Sequence, residues 1–136
     1  MKDIFWIFIM LITFCVNGQN EIRVYKVESK THEINKKYAI QEIIIRSDST
    51  YTHKNYRLKD KSQRYNYRDF KPTITHGKFR REGSFYFLRP NNQDFELGRY
   101  KITNKKMTYY YDWKESKIRK GARFKRVKEK TELDKS

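Results

Sequence analysis

The side chains in this chain with the types and spacing to do chemistry are cations. Lys117, Arg119, Lys120, Arg123 and Lys125 fall in one run near the C-terminus, Lys114 to Lys130. A second cluster is Lys78, Arg80 and Arg81. Lys and Arg total 32 against 16 Asp and Glu, a formal charge of +16. Such side chains hold phosphates, and tyrosines interleaved with them can stack bases. The same surface would bind an anionic membrane or an acidic polysaccharide. Lys117, Arg119, Lys120, Arg123 and Lys125 are therefore the candidate anion-binding residues. The competing reading is a solvated basic surface that keeps edge strands from pairing.

Other chemistry finds little support. His32, His53 and His76 form no pair at metal-ligand spacing, which predicts surface histidines. Asp94 and Glu96 flank a turn, where acidic residues are ordinary. There is no Gly-rich phosphate loop, nucleophile elbow or zincin motif. No catalytic, cofactor-binding or metal residue is assigned, and the expectation is a non-enzymatic protein without a cofactor.

The elements that must position the cations come next. Residues 1–18 read as a signal peptide: Lys2, an apolar run of about 13 residues from Ile4 to Val16, then a polar chain. Cleavage is expected after Gly18. The run is short for a spanning helix, so no transmembrane span is expected in the mature chain. Cys15 is the only cysteine, and Phe14 before it argues against lipoprotein anchoring. Without it, the mature chain has neither disulfide nor thiolate chemistry. The expected location is extracytoplasmic, periplasmic or secreted.

Residues 19–128 read as one all-β domain, and 129–136 as a flexible tail. The 136 residues are a prior for one domain, and aromatics at 16% offset the high charge. Strands are expected at Glu21 to Glu28, Tyr38 to Arg46 and Thr50 to Leu58, with a turn at Ser47-Asp48-Ser49. Residues 57–73 read as either a strand around Tyr65 and Tyr67 or a long loop. Two hairpins follow, Gly77 to Leu88 and Gly98 to Tyr111, and they predict core contacts from Phe79, Phe85 or Tyr86, Tyr100 and Tyr109. Lys114 to Lys120 reads as a charged connection, and Gly121 to Val127 as a closing strand with Ala122 and Phe124 on one face. The sum is an antiparallel up-and-down meander of about eight strands, a barrel or a sandwich.

The segment Ile43 to Tyr51 and the units Gly77-Lys78-Phe79 and Gly98-Arg99-Tyr100 resemble those of small exported bacterial lipocalin-like β-meander proteins. The resemblance spans roughly Tyr38 to Val127 and implies a barrel that could take a small apolar or aromatic ligand. Three partner classes follow. An anionic envelope component or envelope protein comes first and a small ligand second. Nucleic acid ranks lower, because export removes the chain from the chromosome.

Overall fold

In the computed structural model, residues 21–31, 34, 37–114 and 117–128 are described. The signal-peptide expectation, Cys15, His32 and the tail 129–136 lie outside them. Eight antiparallel strands close into a barrel in sequence order: β1 Ile22–Lys30, β2 Tyr38–Arg46, β3 Thr50–Leu58, β4 Thr73–Glu82, β5 Phe85–Pro90, β6 Gly98–Ile102, β7 Lys106–Trp113 and β8 Lys117–Val127. The barrel is the outcome of the barrel-or-sandwich alternative. Closure comes from β8 pairing with β1, with Tyr25 opposite Arg126. The seam is short, with Val24, Tyr25 and Lys26 opposite Val127, Arg126 and Lys125.

Alternation along each strand decides what fills the barrel. Tyr25, Ile43, Ile45, Tyr51, Leu88, Met107 and Phe124 form the interior cluster, with Val27, Phe79, Tyr86, Tyr100 and Ile102 packed against it. Of the ring pair proposed from sequence, Tyr86 turns inward. Phe85 pairs with Glu82 on the outer wall. The inside is narrow, and two tyrosine rings lie where a side chain would otherwise stand. A Cβ on Gly77 would come within 2.5 Å of the Tyr51 ring and would meet the Arg89 carbonyl oxygen. A Cβ on Gly121 would lie 2.7 Å from the Tyr109 ring.

Residues 57–73 form neither the strand nor the loop expected. Lys61–Asp69 is a 3-10 helix kinked at Asn66, and it is capped by Asp60, whose carboxylate accepts from the Ser62 amide at 2.8 Å. It covers the outside of β2 and β3. Tyr67 and Phe70 pack onto Tyr38, Ile40, Tyr56 and Leu58, a second apolar cluster on the far side of the sheet from the barrel interior. The cover explains why β2 reads as a nearly continuous apolar run: both of its faces are buried. Glu42 is buried beneath the helix, accepting from the Tyr67 hydroxyl and, at 3.1 Å, from Arg68 Nε.

The last strand also departs from expectation. β8 begins at Lys117, so Lys117, Arg119 and Lys120 belong to the strand and not to a connecting turn. Thr108 pairs with Arg123, but Tyr110 pairs with Lys120. Two steps along β7 therefore match three along β8, a bulge with its extra residue at Gly121-Ala122. The bulge breaks the period of two, which is why Phe124 is buried while Ala122 is exposed.

Candidate functional site

The outer wall from β4 to β8 carries the candidate site. One register row crosses five strands: Arg80 opposite Phe87, Phe87 opposite Arg99, Arg99 opposite Tyr110, and Tyr110 opposite Lys120. Cations and rings alternate along it. A neighbouring row sets Lys101 opposite Thr108 and Thr108 opposite Arg123. The next pairs Lys106 with Lys125, and Lys125 with Lys26.

The rings are half-buried by the cations around them. Phe85 and Tyr110 meet edge-to-face at 5.6 Å. Lys101 Nζ lies 5.1 Å from the Phe85 ring centre and 5.2 Å from that of Tyr110. The Arg80 guanidinium sits 4.2 Å from the Phe87 ring centre. A cation over a ring face is attracted by the ring quadrupole, about 0.5–1 kcal/mol at exposed sites. Aliphatic stems cover the apolar edge while the charged heads remain in water.

Carboxylates neutralise only part of the wall. Arg80 pairs with Glu96 at 2.5 Å and with Glu82 at 2.6 Å, and Arg99 pairs with Asp112. The two carboxylates raise the affinity of Arg80 for its proton. Lys101, Lys106, Lys120, Arg123 and Lys125 form no ion pair with a described carboxylate.

The five residues singled out by sequence separate into two groups. Lys120, Arg123 and Lys125 share the outer wall, and the bulge makes this so. In a regular strand, residues three apart point to opposite faces. Lys117 and Arg119 pair with Trp113 and Tyr111 and sit on the opposite parity of β8, near the far end of the barrel. Of the second cluster, Lys78 and Arg80 share the outer parity, and Arg81 takes the inner one. Sequence reasoning missed Phe85, Phe87, Arg99, Lys101, Lys106 and Tyr110. Their alternating pattern was visible, but which rings meet which cations depends on register between strands.

Of the two described histidines, His76 is exposed as expected and His53 is not. His53 points into the barrel, its Nε2 donating to Gln41 Oε1 at 2.9 Å, and burial lowers its pKa. His76 Nδ1 pairs with Thr52 Oγ1 at 3.1 Å on the outer wall. Among the described residues no group of three or more His, Cys, Asp or Glu side chains could hold a metal ion.

No protein-family model, curated protein or solved structure matches the chain.

Proposed function

We propose that this protein is an exported, non-enzymatic barrel that binds a phosphate-bearing anionic surface of the cell envelope through the outer wall of β5–β8. The observation that carries the reading is the register itself. It gathers Lys101, Lys106, Lys120, Arg123 and Lys125 around Phe85 and Tyr110, with no described carboxylate paired to any of the five. The wall presents its cations and rings outward, where headgroups can reach them. The fixed rings between the cations can settle at the headgroup boundary, as aromatic belts do. The same charges argue for contact at the surface over insertion, since a Lys or Arg facing lipid at the midplane of a barrel costs about 2–4 kcal/mol. Among the described residues no helix is long and apolar enough to cross a membrane.

The test is co-sedimentation with phosphatidylglycerol-containing vesicles at low and at physiological salt, against pure phosphatidylcholine. Binding should need the anionic lipid and should weaken steeply with salt. Changing Lys120, Arg123 and Lys125 to Ser should remove most of it while leaving the denaturation midpoint in place. Equal binding by the changed protein would leave the wall as a solubilising surface only. Single-stranded DNA is the control polyanion. If all five cations met phosphates, log affinity would fall with log salt at a slope of about −3.5. Tighter binding to DNA than to vesicles would move the assignment to nucleic acid.

A further inference from the structure

The mouth of the barrel, ringed by the β2–β3, β4–β5 and β6–β7 turns, holds a concavity of about 320 Å³. It uses none of Lys101, Lys106, Lys120, Arg123 and Lys125, sharing only Arg80 with the outer row described above, and it does not depend on that reading. Its rim is arginine: Arg23 near the start of β1, Arg46 at the end of β2, and Arg80 and Arg81 near the end of β4, of which Arg80 is already paired with Glu82 and Glu96. Its floor is apolar, with Phe79, Tyr86 and Ile102. We propose that this mouth is a binding site for a small aromatic carboxylate, ring down on the floor and carboxylate up among the guanidinium groups.

Size decides against a long ligand. Beneath the floor, Ile43, Leu88 and Met107 are buried. The Tyr25 ring crosses the interior, and its hydroxyl donates to the Thr103 carbonyl at 2.7 Å, which closes the way down. A cavity of about 150 Å³ accepts a benzene molecule, so this one has room for a ring and a short acid side chain. It lies at the lower end of the range for ligand sites.

Charge decides for an anion. Glu21 is the one acidic side chain lining the mouth, and it is shared: Arg23 Nε lies 3.6 Å from it and Arg126 3.9 Å. The Arg46 guanidinium feels the exposed Asp48 carboxylate of the adjoining turn, which it helps hold below its ordinary pKa. Arg81 spends only its Nε, donating to the Gly83 carbonyl at 3.1 Å, and its guanidinium stands 5.5 Å from the Tyr86 ring centre. Its two terminal nitrogens remain to grip a carboxylate as a fork. The same guanidinium would then flank a bound ring that packs on Tyr86.

The probe is trans-cinnamate, titrated into the full chain by calorimetry, with protein amide shifts followed by NMR. A ligand of about ten heavy atoms should bind between the micromolar and low millimolar range. The shifts should gather at the β2–β3 and β4–β5 turns. Cinnamamide, which keeps the ring and loses the charge, should bind at least about tenfold more weakly. Arg23→Gln with Arg81→Gln should weaken cinnamate by a similar factor, and both side chains are exposed enough for the fold to survive. The Lys120, Arg123 and Lys125 to Ser variant should bind cinnamate as the wild type does. The proposal is overturned by no saturable binding below about 10 mM, by equal affinity for acid and amide, or by unchanged binding in the arginine variant. An equal loss in the outer-wall variant would also overturn it, because the acid would then be answering overall charge. Vesicle binding is read separately, so failure here leaves the wall untouched.

Discussion

Two parts of the same barrel wall meet water in opposite ways. Outside β2 and β3, Tyr38, Ile40, Tyr56 and Leu58 are buried, because the 3-10 helix lays Tyr67 and Phe70 over them. Outside β5–β8 no described helix covers the sheet, and among the described residues Arg80, Arg99 and Lys101 lie over the rings of Phe85, Phe87 and Tyr110. The first solution contributes stability through area removed from water. The second contributes little, since exposed cation–ring contacts are individually weak. It leaves the wall able to meet a partner. The covered wall therefore contributes more to stability than the bare one.

The sharpest way to break this contrast is to remove one ring from each side. Tyr67 is 9% exposed, meets Tyr56 edge-to-face at 5.0 Å and donates its hydroxyl to buried Glu42. Tyr67→Ala should cost about 3–5 kcal/mol, the range for a buried ring. It also strips a partner from a buried carboxylate. Phe87→Ala on the bare wall should cost only about 1–2 kcal/mol, because the ring is half-buried beneath the Arg80 guanidinium. Urea denaturation of both variants measures the difference. Equal losses would mean that the bare wall is as structural as the covered one.

Much of this contrast was legible before the fold was known, and its limits have physical causes. β2 and β3 were read to their observed ends because the Ser47-Asp48-Ser49 turn has a local mechanism. Asp48 Oδ1 accepts from the Thr50 amide at 3.1 Å and from its hydroxyl at 2.6 Å, and Ser49 takes a positive φ of 68°. The β4–β5 and β6–β7 hairpins followed the same logic. The 3-10 helix was not legible. Its period suits neither the helix nor the strand template, and only Tyr67 among its residues is buried. The bulge in β8 was hidden too, since an extra residue shows only when the strand is laid against its partner. The grouping of the five candidate residues was thus only partly legible. Arg123 and Lys125 follow from alternation, Lys120 joins them through the bulge, and Lys117 and Arg119 turn the other way.

A smaller loss is expected where the barrel interior is tightest. Gly77 is buried, with the Tyr51 ring on one side and the Arg89 carbonyl on the other. The Tyr51 ring could shift, but the carbonyl belongs to a strand paired in register and cannot move without breaking the ladder. Gly77→Ala should cost about 1–3 kcal/mol through overpacking, read as a fall in urea midpoint with the slope unchanged. A neutral result would show that β4 and β5 can separate locally at no cost. The wall would then be a more yielding platform than its register implies.

The smallest effect concerns the polar end of the interior, and it depends on pH. His53 sits inside β3 with Nε2 bonded to Gln41, and burial lowers its pKa from the ordinary 6.5. The folded imidazole therefore binds its proton less readily than the unfolded one. Above pH 6.5 both states are neutral there, and the contribution is fully present. As pH falls below that value, the unfolded chain takes up the proton first, and stability is lost until the folded pKa is passed. Glu28, held below the ordinary carboxylate range chiefly by the Tyr38 hydroxyl, loses its contribution only at lower pH, from about 4.5 downward. The two windows are separable. The urea midpoint should decline between about pH 7 and 5 in the wild type, and His53→Gln should flatten that decline while leaving the fall below pH 4.5. A wild-type midpoint that stays level across the upper window would place His53 in water, with its bond to Gln41 broken in solution. The interior would then be open at that end, in contrast to the closed floor beneath the arginine mouth.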